Sequence, residues 1–198
     1  MTGRLYLFIL SFSATVILFS SCRHEVTPKP RGFYRITFPE KSYRALNGPF
    51  PYNFSIPTYA TVTPDLLNPE QKDWITVEIP GNHAQIHISY KKVDSNLSQL
   101  IEESRSLVFK HDQKASSIDE QIFIHPAHKM YGTVYTLKGN AASPMQFYLT
   151  DSVKNFIRGA LYIKEIPNYD SLRPVIGFLS ADVIKMIETT EWTAYHGH

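Results

Sequence analysis

One cysteine stands in 198 residues, Cys22. A lone thiol excludes a disulfide within the chain and a thiolate zinc centre. Charge is also scarce. Charged residues make up 19% of the chain and the formal net charge is +2, so no basic excess points to a nucleic-acid partner. The signatures of common chemistry are missing as well. There is no G-x-S-x-G elbow, no H-E-x-x-H and no glycine-rich phosphate loop of the G-x-x-x-x-G-K or G-x-G-x-x-G kind. With no disulfide available, a hydrophobic core must hold any fold. At 43% hydrophobic and 13% aromatic residues the chain has the material for one.

Long apolar runs are absent except at the start. Leu5 to Phe19 carries no charge and follows a single basic residue, Arg4. That matches the apolar core of a secretory signal, roughly 7–15 residues, and falls short of the about 20 needed to span a bilayer. Ser20 and Ser21 then place two small residues directly before Cys22. Small residues followed by cysteine resemble the lipobox of bacterial lipoproteins, in which the thiol is acylated and the signal is cut before it. Phe19 stands where the lipobox usually has leucine. Two or more acyl chains anchor firmly, since each buried CH₂ contributes about 0.8 kcal/mol. The sequence therefore predicts a signal peptide over 1–21, a tether rich in proline and basic residues over 22–32, a globular domain over 33–192 and a loose tail over 193–198. Pro28 and Pro30 stiffen the tether, and Arg23, Lys29 and Arg31 suit anionic head groups.

Within the domain, FYRITF alternates in the manner of a strand and is stopped by Pro39. NFSIP and TYATVTP are short strand-like pieces. WITVEI sets Ile75, Val77 and Ile79 on one face, AQIHISY sets Ile86, Ile88 and Tyr90 on one face, and the turn at Gly81-Asn82 joins them as a hairpin. The period then changes. Leu97, Leu100, Ile101, Leu107 and Val108 fall on one helical stripe, capped by Ser95 or Asn96. SIDEQIFI, MYGTVYTL, MQFYLT and FIRGALYI read as four further strands. A second helix follows in DSLRPVIGFLSADVIKMIETTEW, capped by Asp170 or Ser171 with Pro174 in its first turn. Its stripe is Val175, Ile176, Leu179, Val183, Ile184 and Ile187. The fold class is α+β, a mostly antiparallel sheet packed with two main helices. The order of elements also resembles the Mog1/PsbP-like sandwich, with helices on both sides of the sheet.

Candidate sites are few. His83 and His87 lie on a turn and a strand, with His87 opposite the Ile86/Ile88 face and so toward solvent. His125 and His128 flank a proline in a loop. They read as surface histidines, and no metal or other cofactor is expected. Glu102/Glu103 and Asp119/Glu120 read as solvated pairs. KGNAASP is the most unusual loop: Gly139-Asn140 favours a tight turn, and Ala141, Ala142 and Ser143 are small enough for close approach by another backbone or a partner. Asp151 can cap its own turn. Arg158 sits between apolar neighbours in a strand, a place for a residue on an open sheet face or paired with a carboxylate.

PKPRGFYRITFPEKSY, FPYNFSIPTYATVTPD, ISYKKVDSNLSQLIEESRSLVFKH and above all KGNAASPMQFYLTDSVKNFIRGALYI resemble the GldD family of gliding-motility lipoproteins of Bacteroidetes. Some members carry a cysteine pair near the positions of Gly48 and Asp73, which this chain lacks. The resemblance implies an envelope lipoprotein needed for gliding, working alongside machinery shared with type IX secretion. It brings no catalytic residues, and only Cys22 carries over. The expected partners are the membrane, through an acyl (palmitate-type) anchor on Cys22, and proteins of the gliding and secretion apparatus. The expected location is the inner leaflet of the outer membrane, facing the periplasm. Asn140, Ala142, Ser143 and Arg158 are the candidate partner contacts, together with the basic stretch Arg31 to Arg35. Two other classes stay open: a ligand-binding module for a lipid, glycan or peptidoglycan fragment, and, last, an envelope hydrolase.

Overall fold

The structure is a computed structural model in which residues 36–110, 114–166 and 168–193 are described. Cys22, the tether and Arg31 to Arg35 lie outside the described residues, as do residues 194–198 of the expected tail. The described part falls in one compact unit that begins at Ile36.

The centre is a seven-stranded antiparallel sheet. In chain order its strands are β4 (Thr61–Pro64), β5 (Ile75–Ile79), β6 (Ala84–Lys92), β7 (Ala115–His125), β8 (Met130–Gly139), β9 (Met145–Thr150) and β10 (Asn155–Ile163). In space the order is β4-β5-β6-β10-β9-β8-β7, so β10 enters between β6 and β9. Three short strands precede them, β1 (Tyr43–Ala45), β2 (Tyr52–Asn53) and β3 (Ser55–Pro57), and β11 (Glu191–Trp192) follows. β1 pairs with β3, and β11 with β2, in two small sheets. The helices are α1 (Leu97–Phe109) and α2 (Tyr169–Glu188). The fold is the α+β class expected.

Alternation decides which face is which, because strand neighbours point to opposite sides. Ile75, Val77 and Ile79 and, across the ladder, Ala84, Ile86 and Ile88 are buried on one face. Ile157 and Leu161 of β10 and Phe147 and Leu149 of β9 continue that face. Val175, Leu179, Val183, Met186 and Ile187 of α2 cover it, with Tyr52, Phe54 and Ile56 from the short strands. The hairpin forms as its alternation demands, but its turn is a 3₁₀ turn over Pro80–Asn82, and His83 rather than Gly81 takes the left-handed conformation (φ 47°).

The opposite face carries α1. Its stripe is narrower than its apolar pattern: Leu100, Ser104 and Val108, four apart, are buried, whereas Leu107 is exposed. Val108 packs with Tyr135, Leu137 and Tyr148.

Several expected details change. Ile36, Thr37 and Phe38 are not a strand. Phe38 instead stacks on Phe178 of α2 at 4.4 Å. The α2 cap is Asn168, whose side chain accepts from Ser171 N, rather than Asp170 or Ser171. The helix thus starts earlier, and Pro174 falls in its second turn. Its missing N–H removes the i+4 donor to the Asp170 carbonyl, at an exposed place on the helix. Asn96 sits at the α1 N-cap, yet its side chain accepts from Asp94 N and makes no cap bond.

Asp151 does organise its turn. Its Oδ1 accepts from the N–H groups of Val153, Lys154 and Asn155 at 2.8–2.9 Å, and its Oδ2 from Asn155 Nδ2. Burial pushes this carboxyl up, and the donors more than reverse it, leaving it below the usual 3.8. A depressed folded pKa supplies stability above the unfolded value that is lost as pH falls through the folded one. Asp151→Ala is expected to cost about 2 kcal/mol near neutrality, as for hydrogen bonds to a charged group. It should also flatten the acid-side slope of stability below the unfolded value. Urea midpoints against pH for both proteins check this, and equal slopes would refute it.

Candidate binding groove

The face under α1 is not fully covered. α1 contacts β9 and β10 and sets Val108 against Tyr135 and Leu137 of β8, and beside it a groove of about 470 Å³ lies open over β6 and β10. The β6/β10 ladder pairs Phe156 with Lys91, Arg158 with Ser89, Ala160 with His87 and Tyr162 with Gln85. Directly paired residues share a face, so these side chains form the floor. Leu100, Glu103, Ser104 and Leu107 of α1 make one wall, and Asp65, Leu67 and Asn68 of the β4–β5 loop, with Trp74, make the other. The volume lies within the roughly 300–1,000 Å³ of small-ligand sites.

Each titratable group in the groove has its buried polar atoms paired, with one exception. His87 Nε2 lies 2.7 Å from Gln85 Nε2 and its Nδ1 3.2 Å from Thr76 Oγ1. The neutral ring satisfies both, with Nε2 accepting and Nδ1 donating. Burial lowers its pKa, outweighing the pull of Asp65 and Glu78. Burial raises the carboxyl of Asp65, and bonds from Leu67 N and Asn68 Nδ2, with the nearby His87, bring it below the ordinary value. Glu103 is paired with Lys91 at 3.0 Å. Arg158 is the exception. Its Nη2 donates to Gln146 Oε1 at 2.5 Å and its guanidinium bonds Tyr162, both neutral partners. Burial presses its pKa down, and an arginine keeps its charge regardless. Arg158 Nε and Gln146 Nε2 are buried with no acceptor among the described residues.

The expected contacts do not converge. Arg158 is in the groove, on the open face as anticipated and without a carboxylate. Asn140, Ala142 and Ser143 lie at the start of α2. Gly139 turns the chain with φ 98°, and Asn140 Oδ1 accepts from Tyr169 N at 2.9 Å. Ala142 is exposed, while Ser143 is fully buried and out of reach of a partner. The strand pattern placed His87 on the correct face, but that face is a groove rather than open solvent. His125 and His128 contact each other edge to face at 4.4 Å. Among the described residues no group of three His, Cys, Asp or Glu side chains could hold a metal ion. Nor is any helix among them long and apolar enough to cross a membrane.

A model of the family described as gliding motility lipoprotein GldD matches residues 23–192. The chain belongs to the GldD family. Membership makes it a lipoprotein associated with gliding motility, and hence a membrane-anchored protein of the cell envelope. No curated protein matches. Among solved structures, the solution structure of cyanobacterial PsbP (CyanoP) from Synechocystis sp. PCC 6803 is similar. The match covers 84% of this chain and 99% of that one, at 9% identity and a TM-score of 0.47. Sequence reasoning on this GldD chain found Arg158 through its odd position in an apolar strand. It missed Asp65, Gln146 and Tyr162, since residues from three separate segments meet only once β10 enters between β6 and β9.

Proposed function

We propose that this protein is a non-catalytic docking component of the gliding and type IX secretion apparatus. It is held by acyl chains on Cys22 in the inner leaflet of the outer membrane, with its domain (33–192) in the periplasm. The observation that carries the docking role is the groove: a cation held by neutral partners, in a cleft whose other titratable groups are already committed to hydrogen bonds or an ion pair. Groups so engaged suit recognition better than proton transfer. The family match begins at residue 23, directly after Cys22, which supports an anchor there.

Two experiments test this. Arg158→Glu places a carboxylate on the groove floor and is expected to abolish spreading while the melting temperature stays within a few degrees. Ala142→Arg tests the exposed loop beside α2 separately. Spreading that survives Arg158→Glu would remove the groove from the motility role. For the anchor, Cys22→Ala is expected to leave the protein uncut and without acyl chains, as read by intact mass. An acylated or normally cut Cys22→Ala protein would overturn the assignment.

The groove's size also supports a second reading, a module that binds a lipid, glycan or peptidoglycan fragment. Motility lost in Arg158→Glu with no protein partner lost in pull-downs would favour it.

A further inference from the structure

The groove has a directional chemistry. Its rim is apolar: Leu67 is 84% exposed at one lip, with Leu66 beside it at 83%, and Leu107 faces it from α1. Solvent-facing leucines on both sides of one cleft mark a surface awaiting an apolar partner. Below them the floor turns polar. Gln85, Ser89 and Tyr162 line it with polar side chains, and Arg158 supplies positive charge. Glu103 is neutralised by Lys91, and Asp65 is held by its own loop, so neither forms an ion pair with Arg158. The guanidinium and its partner Gln146 share a hydrogen bond, and each also has a buried nitrogen with no acceptor among the described residues. Gln146 is 1% exposed and lies behind Arg158, outside the groove lining, so Arg158 is the group a ligand meets.

A guanidinium that lines the groove and has no carboxylate partner calls for an anionic acceptor. A planar carboxylate fits the arginine fork, accepting two parallel N–H bonds. The apolar lips call for side chains next to that carboxylate, and the polar floor calls for peptide groups between. From these features we infer that the groove captures the carboxyl terminus of a partner protein whose last residues are apolar. This rests on the docking role proposed above and names its chemistry. A carboxyl terminus is a single group at a chain end, so the mode selects one segment of the partner. A fatty acid also carries a carboxylate on an apolar body, but its chain has no polar group to set against the polar floor. A peptidoglycan stem peptide ends in a carboxylate, but does not match leucine lips on both sides.

The test uses the full lipidated chain in lipid nanodiscs. One probe is a pool of hexapeptides ending in Leu, Ile, Val or Phe with a free carboxyl terminus. The second is the same pool with a terminal amide. Decanoate and a stem pentapeptide serve as competitors. Affinity selection read by mass spectrometry is expected to retain the free acids at least tenfold over the amides. Arg158→Gln should erase that preference, and Arg158→Lys, which keeps charge and loses the fork, should weaken it. Leu107→Asp, at an exposed position, should lower retention of the whole pool with no change in melting temperature. Equal retention of acids and amides, retention of neither, or displacement by decanoate or the stem peptide at lower concentration than by a retained peptide would each overturn the inference. Spreading assays remain a separate readout: loss of motility in Arg158→Glu with no acid preference in the selection would refute the ligand chemistry alone.

Discussion

Replacing Asp182 by alanine is expected to lower stability by about 3–5 kcal/mol, the usual cost of stripping one partner from a buried ion pair. Asp182 is 0% exposed within α2. Its Oδ1 accepts from Lys41 Nζ at 2.6 Å and Tyr43 OH at 3.0 Å, and its Oδ2 from Tyr59 OH at 2.7 Å. Lys41 also donates to the Phe178 carbonyl and lies 3.4 Å from the centroid of the Phe178 ring. Alanine would leave that ammonium, only 29% exposed, without a counter-ion, and the Tyr43 and Tyr59 hydroxyls without their acceptor. Asp182→Asn should cost less, since one oxygen still accepts. The pair Lys41→Met with Asp182→Leu should recover much of the loss, because apolar side chains of similar volume do not need pairing. Urea midpoints measure all three, and a shift in Asp182→Ala worth less than about 1 kcal/mol would refute a structural role for the cluster.

The same cluster fixes an alkaline limit. Burial, then the hydrogen bond to Asp182 and its negative charge, push Tyr43 from 10.0 up to about 12. Tyr59 is raised further for the same reasons, with Tyr43 adding to them. A raised folded pKa gives stability that is complete below the unfolded value and is lost as pH rises toward the folded one. Stability should therefore decline from pH 10.0 toward about 12, and Tyr43→Phe should reduce that slope. The cluster ties the first described residues of the chain, with Phe38 stacked on Phe178, to the helix that covers the core.

How far the sequence could be read depended on the range of the forces involved. The β5/β6 hairpin, both helices and the Asp151 turn follow from local rules of alternation, helical spacing and short side-chain caps, and all were legible. FYRITF alternates just as well, yet residues 36–38 form no strand. Alternation describes a surface with two faces, and here Phe38 finds its apolar partner on α2 instead of in a ladder. Asp182 lies beside Val183 of the apolar stripe, and once buried there its carboxylate needs a cation. Nothing local says that it comes from Lys41. The groove was less legible still. The pattern of β6 gives His87 its face but not what stands over it. That depends on where α1 lands, and its buried stripe of Leu100, Ser104 and Val108 is narrower than the apolar pattern suggests.

Gly132→Ala is expected to be the most damaging single-atom change in the sheet, costing about 4 kcal/mol or more and placing it among the exceptional substitutions. Gly132 pairs with Leu149 across β8 and β9. A Cβ built there would lie 2.0 Å from the Tyr148 carbonyl oxygen and 2.9 Å from Leu149 Cδ2. A side chain can rotate away, but the carbonyl is fixed by the backbone of β9, so relief means parting the two strands. That ladder joins β7 and β8 to the rest of the sheet. It also carries Tyr148, which stacks on Phe156 of the groove floor at 5.5 Å. Gly177→Ala is the matched comparison. Gly177 is exposed within α2, and its Cβ would meet nothing within 4 Å. There alanine should stabilise by about 0.5–1 kcal/mol, because it loses less backbone freedom on entering a helix. Opposite signs for two identical substitutions would locate the effect in close strand approach rather than in glycine content. A Gly132→Ala protein with an unchanged urea midpoint would mean that β8 and β9 do not approach as closely as described.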